Sequence, residues 1–238
     1  MSILILCGLA RAQQQTQPQP ATDDTAGFES IFDGKTLNGW EGDPKYWRVE
    51  DGALVGEITP GNEIRVNTFI IWRGGVTKDF ELKVEYRISP QGNSGINYRS
   101  EELTDPKLAM KGYQFDIDGE KRNTGTTRHT ANNYEERGRT FMALRGQLTR
   151  ATPDGKRSIL SSLGDYNDLA KFIKNGDWNQ VHIIARGNVI VHMLNGHVMS
   201  ILVDDDDKNR AMEGKLGVQV HQGPAMKVEF RNFMLKKM

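Results

Sequence analysis

Apolar and polar residues alternate along several stretches of this chain. In "DFELKVEYRI" (79–88) every second residue is apolar and the residues between are Glu, Lys or Arg, the period of a β-strand with one buried face. "GYQFDIDGE" (112–120) has the same period, but its polar positions are Gln114, Asp116 and Asp118. A face exposed only to water has no need of short amides and carboxylates. This second strand is therefore predicted to present a surface that binds something.

Turn dipeptides divide the rest of the chain into further strands. Asp51-Gly52 separates two apolar runs, and 178–204 reads as three strands joined at 186–188 and at Asn195-Gly196. The residues from 217 onward add two more strands. Only 165–176 has a helical period, with Asn175-Gly176 as its predicted C-cap. About nine strands with one short helix predict an all-β, antiparallel sandwich.

The N-terminal residues differ in composition from the remainder. The short hydrophobic run 3–10, followed by Ala10-Arg11-Ala12, is typical of a signal peptide over residues 1–12. Residues 13–27 are rich in Gln, Pro and Thr without an apolar period, as in a disordered linker. The folded domain is predicted to span 28–238. We therefore expect an exported protein, periplasmic or extracellular.

Charge and cysteine content exclude several classes of function. Lys and Arg number 31 and Asp and Glu also number 31, so the net charge is zero, which argues against nucleic acid as a partner. No apolar run is long enough to predict a membrane-spanning helix. Cys7, the one cysteine, lies within the predicted signal peptide, so the mature chain is expected to form no disulfide and to have no catalytic thiol.

Four Gly-rich segments with strand spacing carry polar residues that a solvated face would not require. We interpret them as the walls of one concave polar site, because glycine lets a ligand approach the backbone closely. The candidates are Asn93, Ser94, Asn97 and Arg99; Gln114, Asp116 and Asp118; Tyr134, Glu135 and Arg145; and Gln219 and His221.

Five segments carry a resemblance to a known family: "FDGKTLNGW" (32–40), "GNSGINYRS" (92–100), "GYQFDIDG" (112–119), "WNQVHIIARGNVIVHMLNGH" (178–197) and "GVQVHQGPAMKVEFRNFMLK" (217–236). Together they resemble the 3-keto-disaccharide hydrolase domain family, and the resemblance runs from about Phe28 to Lys237. It implies a concanavalin A-like jelly roll of two curved sheets, usually in secreted or periplasmic proteins. It also implies cleavage of a carbohydrate substrate, a glycoside oxidised to a ketone at carbon 3. One departure is that many members have Glu where this chain has Gln114, and Gln where it has Asp116.

The chemistry of a 3-keto-glycoside assigns roles to these residues. The ketone acidifies the proton on C2, and its removal gives an enolate that can expel the group on C1. His221 is the candidate base, and Arg99 or Arg145 the candidate stabiliser of the oxyanion. Asp116 or Glu135 is the candidate proton donor if burial raises its pKa. No cofactor is predicted.

Two other functions fit the same fold. A lectin-like domain would bind sugars without cleaving them, with Trp40, Trp72 and Tyr134 available to stack on sugar rings. A retaining glucanase would use a row of carboxylates, for which Asp116, Asp118 and Glu120 are the candidates.

The acidic run Asp204–Asp207 offers oxygen ligands for calcium. A solvated loop after the preceding strand is the favoured interpretation of this run. We therefore predict no metal site.

Overall fold

The computed structural model describes residues 25–120 and 129–238. The predicted signal peptide and residues 13–24 of the predicted linker lie outside these ranges. Residues 25–27 form a turn, in which the Phe28 amide donates to the Thr25 carbonyl at 3.0 Å. In the part of the chain that is described, the strands and the helix are β1 (Glu29–Ser30), β2 (Trp40–Glu41), β3 (Trp47–Glu50), β4 (Ala53–Ile58), β5 (Thr68–Trp72), β6 (Phe80–Ile88), β7 (Asn93–Leu103), β8 (Ala109–Asp118), β9 (Asn133–Glu136), β10 (Thr140–Ala143), β11 (Gln147–Ala151), β12 (Arg157–Ser162), α1 (Tyr166–Ala170), β13 (Asn179–Arg186), β14 (Val189–Leu194), β15 (His197–Asp204), β16 (Lys215–Val220) and β17 (Met226–Lys237).

Two sheets pack face to face. The larger has ten strands in the order β12-β11-β15-β14-β13-β6-β17-β4-β3, with β1 beside β17. The smaller has seven, in the order β10-β9-β8-β7-β16-β5-β2. Paired strands are antiparallel except β11 and β15, which run parallel. The predicted all-β, mainly antiparallel sandwich with one short helix is confirmed, although the described residues contain more strands than the nine or so expected.

The turns form where their dipeptides predict them. Asp51 and Gly52 have φ angles of 49° and 78°, and Asn195 and Gly196 have φ angles of 49° and 81°. Two successive positive φ angles are the signature of a type I′ turn, whose twist matches that of the strands it joins. These turns connect β3 to β4 and β14 to β15.

The helix is shorter than the sequence predicts. Asp165 caps it by accepting from the amides of Asn167 and Asp168, but α1 ends at Ala170 rather than near Gly176. The Asn179 side chain bonds both the amide and the carbonyl of Lys174 at 2.8 Å, and so holds the following residues in a loop. Among the described residues, no helix is long and apolar enough to cross a membrane.

The core lies between the sheets and contains one histidine. His192 on β14 is fully buried, and its Nε2 lies 2.7 Å from the Tyr98 hydroxyl on β7 of the opposite sheet. Its ring also packs 4.8 Å from that of Phe115 on β8. Burial lowers the pKa of His192 to about 3, so the imidazole is neutral. His192 therefore links the two sheets and does not face the solvent.

The acidic run after β15 is not the solvated loop that the sequence predicts. Asp204 and Asp206 are buried and both bind the Arg139 guanidinium, which also binds Glu135. Tyr113 donates its hydroxyl to Asp204 from β8. Arg139 thus supplies the positive charge among these carboxylates and ties the end of β15 to the smaller sheet.

Replacing Arg139 by Met is expected to lower the free energy of unfolding by about 3–5 kcal/mol, because buried carboxylates would lose their counter-charge. Urea denaturation measures the change. The matched control is Arg150→Met, since Arg150 is 52% exposed and pairs with Asp205 at the surface; its loss should stay below about 1 kcal/mol. Equal, small losses for both variants would contradict a structural role for the Arg139 cluster.

Candidate functional site

A pocket of about 240 Å³ opens on the face of the seven-stranded sheet that points away from the core. Strands β7, β8, β9 and β10 and the segment after β16 form its floor and walls. The lining residues are Asn93, Gln114, Asp116, His129, Tyr134, Glu136, Phe141 and His221. Five of these, Asn93, Gln114, Asp116, Tyr134 and His221, are among the residues predicted from sequence.

Strand register brings these side chains together. On β8, Tyr113, Phe115 and Ile117 belong to the core, so Gln114 and Asp116 face the opposite way. Asp116 pairs across the ladder with Gly95 on β7, and Gln114 pairs with Tyr134 on β9. Directly opposed residues lie on the same face of a sheet. The alternation read from the sequence therefore places these groups on one surface.

Gln114 links the acid to the neighbouring strands. Its Nε2 donates to Asp116 Oδ1 at 3.0 Å, while its Oε1 accepts from Gln219 Nε2 at 3.3 Å. To reach Gln219 on β16, Gln114 crosses over Gly95 on the intervening strand. A Cβ at position 95 would lie 2.3 Å from Gln114 Cδ, so only glycine leaves room for this crossing.

Asp116 is buried, and burial raises the pKa of its carboxyl group well above the ordinary value. The negative charges of Asp118 and Glu136 raise it further, against the opposing effect of the Gln114 hydrogen bond. Asp116 therefore holds a proton under conditions in which an exposed aspartate is ionised. Because Gln114 occupies Oδ1, the proton is expected on Oδ2.

The β9 and β10 side of the pocket combines aromatic rings with a carboxylate. Burial and the charges of Glu136 and Asp116 raise the pKa of Tyr134, so its hydroxyl remains a donor. The Phe141 ring contacts the Tyr134 ring edge to face, with centroids 5.0 Å apart. Glu136 Oε1 accepts from Asn67 Nδ2 at 3.0 Å.

His221 follows β16 and is partly exposed at the opposite side of the pocket. Its backbone amide donates to the Asn93 carbonyl at 3.3 Å. Its Nδ1 lies 2.6 Å from the Gln222 carbonyl oxygen, which can only accept, so Nδ1 carries the proton. Nε2 is then the nitrogen that carries the lone pair in the neutral ring.

Arg99, predicted to stabilise the oxyanion, does not line this pocket. It is 1% exposed, and its guanidinium donates to the Lys78 and Gly187 carbonyls and to Asp79. Its φ of 45° marks a bulge in β7 where the alternation of faces breaks. Arg99 therefore joins the two sheets instead of facing a ligand.

Four more predicted residues also lie elsewhere. Glu135 alternates with the pocket residues Tyr134 and Glu136 and binds Arg139 instead. The Arg145 guanidinium donates to the Tyr166 and Thr130 carbonyls.

The remaining two are on β7. Ser94 alternates with Asn93 and bonds the Gln219 carbonyl. Asn97 is fully buried, with its Nδ2 3.5 Å from Ser100 Oγ. Asn97 pairs with Gln114 and faces the same side of the sheet, but neither it nor Arg99, Glu135, Arg145 or Ser94 lines the pocket.

Two predicted residues support the pocket without lining it. Gln219 positions Gln114, as described above. Asp118 lies beneath the wall, where its Oδ2 is 3.1 Å from His129 Nδ1 and accepts from the His129 amide at 3.2 Å. Asp118 is therefore engaged with an imidazole and does not form a row of free carboxylates with Asp116 and Glu120.

Sequence reasoning missed His129, Glu136 and Phe141. Glu136 could have been chosen over Glu135, because it shares strand parity with Tyr134. Phe141 is on the short strand next to β9. His129 lies in a loop without any periodic pattern, and only the folded structure reveals its contact with Asp118.

A larger cavity of about 420 Å³ lies near the β7 bulge, beside Arg99, Glu135 and Arg139. These three side chains are already paired with charges or carbonyls of the framework, and no imidazole lines this cavity. The pocket around Asp116 is therefore the better candidate for chemistry.

Across 25–120 and 129–238, no three His, Cys, Asp or Glu side chains are grouped to hold a metal ion. Trp40 and Trp72, expected to stack on sugars in a lectin, are buried, and Trp40 packs on Phe233.

Residues 27–236 match the family described as the 3-keto-alpha-glucoside-1,2-lyase-like domain. The chain belongs to this family. A 3-keto-disaccharide hydrolase from Bacteroides thetaiotaomicron is 38% identical over 92 residues, which are 34% of this chain and 30% of that protein. The chain thus aligns with less than a third of that relative's length.

Solved structures of low identity share the fold of this 3-keto-alpha-glucoside-1,2-lyase-like domain. One from Parabacteroides distasonis, named as a glycosyl hydrolase, has a TM-score of 0.59 at 22% identity, covering 89% of this chain and 94% of that one. The carbohydrate-binding module CBM66 of Bacillus subtilis has a TM-score of 0.52 at 16% identity, covering 84% and 96%. A galectin-like protein from Bacillus subtilis has a TM-score of 0.55 at 14% identity, covering 84% and 90%.

The raised pKa of Asp116 predicts a pH-dependent stability difference. In the folded domain the acid binds its proton more tightly than in the unfolded chain, so its contribution to stability is complete at low pH and is lost as the pH rises through the folded pKa. The Asp116→Asn variant has no carboxyl group to ionise at this position, so it does not lose stability in this way as the pH rises. It should be more stable than wild type at pH 8, and the difference should shrink towards pH 3.

Thermal melts across this pH range measure the difference. The exposed Asp207 provides the control Asp207→Asn, which should leave the pH dependence unchanged. An Asp116→Asn variant that tracks wild type at every pH would mean that Asp116 is ionised in the folded domain.

Proposed function

We propose that this protein cleaves glycosides that carry a ketone at C3, by removing the C2 proton and expelling the group on C1. The observation that carries the proposal is the pairing of a protonated carboxyl group, Asp116, with imidazoles in one pocket. Such a reaction needs one group to accept a proton from carbon and another to give a proton to the leaving oxygen. Membership of the 3-keto-alpha-glucoside-1,2-lyase-like family supports the same substrate class.

His221 is the proposed base. Its Nδ1–H donates to the Gln222 carbonyl, so Nε2 is the nitrogen that would accept the proton. Removal of the C2 proton moves the C2–H electron pair towards the C3 ketone and forms an enolate. Without the ketone, the same proton is far too weakly acidic for an imidazole to remove.

Asp116 is the proposed acid. When the enolate collapses, the C3 carbonyl re-forms, a C1–C2 double bond forms and the bond from C1 to the leaving oxygen breaks. Asp116 then gives its Oδ2 proton to that oxygen, while Gln114 holds Oδ1. Asp116 and Gln114 both lie on β8, and both are buried, which keeps the acid away from water.

The enolate needs a donor that is not Arg99. No Lys or Arg is among the described residues that line the pocket, so the candidates are neutral groups. The Tyr134 hydroxyl stays protonated because of its raised pKa, and the Asn93 side-chain amide lies at the other side. Preorganised neutral donors of this kind stabilise a developing oxyanion in a site with little water.

A non-catalytic sugar-binding domain is the second candidate. The edge-to-face rings of Tyr134 and Phe141 give the pocket an aromatic wall, a surface on which sugars pack. The carbohydrate-binding module of similar fold shows that this architecture does not require catalysis. The paired carboxylates of a retaining glucanase receive no support, because Asp118 is bound to His129.

Export is also part of the proposal, on the basis of the hydrophobic run at 3–10 and the Ala10-Arg11-Ala12 sequence. N-terminal sequencing of protein recovered from the periplasm or medium should start at or soon after residue 13. Recovery of chains that begin with Met1 would refute cleavage after residue 12.

Activity is expected to depend on both the ketone and His221. Purified protein should cleave a 3-keto-glucoside and leave the unoxidised parent glucoside intact. His221→Ala should lower kcat on the keto substrate by at least about 100-fold, since general-base catalysis contributes about 10²–10⁴-fold. Because His221 is partly exposed, the melting temperature should change little.

The control for His221 is His197→Ala, a histidine that stacks on Phe172 outside the pocket. Equal cleavage of the oxidised and unoxidised glucosides, or full activity of His221→Ala, would contradict the elimination mechanism. Sugar binding without cleavage of either glucoside would establish the binding domain instead.

A further inference from the structure

The pocket contains a second imidazole, His129, which is held by a buried carboxylate. Asp118 Oδ2 lies 3.1 Å from His129 Nδ1 and also accepts from the His129 backbone amide at 3.2 Å. The Asp118 side chain is 0% exposed and that of His129 is 26% exposed. The carboxylate is thus enclosed, while the imidazole reaches the pocket.

Residues 129 and 130 are fixed to the end of β8. Thr130 Oγ1 accepts from the Asp118 amide at 2.9 Å and donates to the Asp118 carbonyl at 3.2 Å. The His129 ring rests on Phe141 of β10, with centroids 5.0 Å apart. Backbone, carboxylate and aromatic contacts together determine where the imidazole points.

This arrangement determines the tautomer of His129. A carboxylate at Nδ1 favours the proton on that nitrogen, and Nε2 is left with its lone pair. An imidazole supported by a buried carboxylate is the arrangement that serine hydrolases use to accept a proton from oxygen. The His129 ring contacts Asp118 and Phe141, and the pocket that it lines also includes Asp116 of β8, Glu136 and Tyr134 of β9, Asn93 of β7 and His221 after β16.

The two imidazoles flank Asp116. Asn93 on β7 pairs with Asp118 on β8, and the His221 amide bonds the Asn93 carbonyl from the β16 side. His129 approaches from the other side, beside Asp118 at the end of β8 and Phe141 of β10. A sugar on the floor above Asp116 would therefore have one imidazole on each side.

We propose that His129, positioned by Asp118, activates the water that adds to C1 after the leaving group has departed. This inference rests on the proposed function and assigns a residue to its second half. The first half leaves a C1–C2 double bond conjugated to the C3 ketone, with Asp116 deprotonated and His221 protonated.

In the second half, water forms a bond from its oxygen to C1 and gives a proton to His129 Nε2. The π electrons of the double bond move to C2 and the ketone, and C2 takes the proton held by His221. The proton on His129 then passes to the Asp116 carboxylate. One water is consumed, and all three groups return to their starting states.

The test uses the His129→Asn variant of the full chain with an aryl 3-keto-glucoside. Asparagine retains a donor where Nδ1 lies but has nothing in place of Nε2. Release of the phenol reports elimination, and the ultraviolet absorbance of the conjugated unsaturated sugar reports the intermediate. We expect hydration to slow by about 100-fold. The ratio of unsaturated sugar to released phenol should therefore rise, whereas wild type yields the hydrated 3-keto sugar.

One further variant tests the positioning role of Asp118, and another serves as the control. Asp118→Asn, with its fold checked by thermal melting, should raise the same product ratio by removing the charge that orients His129. The matched control is His182→Asn, because His182 also pairs with a carboxylate, at 2.9 Å from Glu81, but lies on the ten-stranded sheet. It should leave the ratio as in wild type.

Each remaining outcome overturns the inference. A wild-type product that remains entirely unsaturated would show that the protein eliminates without hydrating, which keeps the proposed function but removes the role of His129. An unchanged product ratio in His129→Asn would assign the water to another base. If wild type releases no phenol, the proposed function itself fails.

Discussion

The candidate site depends on the protonation of one among three buried carboxyl groups. Asp116, Asp118 and Glu136 lie close enough for their charges to interact, and three ionised carboxylates in so small a volume would repel one another. Asp118 has the His129 imidazole as a partner and Glu136 has the Asn67 amide. Burial and the charges of the other two carboxylates raise the pKa of Asp116, against the effect of its Gln114 hydrogen bond, so Asp116 is the group that keeps its proton.

Three arginines, Arg99, Arg139 and Arg145, bind the framework and do not line the pocket. Arg99 and Arg145 donate to backbone carbonyls, and Arg139 neutralises the carboxylates near the end of β15. The described residues that line the pocket include no Lys or Arg side chain. The pocket offers neutral donors, a protonated acid and imidazoles. These groups suit proton transfer to and from an uncharged sugar.

Alternation along strands explains what the sequence could predict. Gln114, Asp116 and Tyr134 reach the pocket because β8 and β9 keep their register there. The same rule fails at Arg99, where a bulge with positive φ interrupts β7. A bulge results from local backbone geometry and leaves no period in the sequence.

Contacts between distant segments account for the other differences. The predicted helix over 165–176 is cut short by Asn179, which bonds the backbone of Lys174 from the following strand. His129 acquires its orientation from Asp118, eleven residues earlier on β8. Neither effect is visible in local propensity, because each depends on side chains that folding brings together.

The departure from the family pattern at Gln114 and Asp116 now has a structural interpretation. The two side chains face the same way and bond each other at 3.0 Å, as an amide donor to an acid oxygen. Family proteins with Glu and Gln at these two positions would keep an acid–amide pair in which the acid and the amide have exchanged places. The exchange moves the acid by two residues, or about 6.6 Å along the strand. In this chain the acid therefore lies nearer the end of β8 where Asn93, His129 and His221 meet, and we expect the leaving oxygen of the substrate to bind at that end.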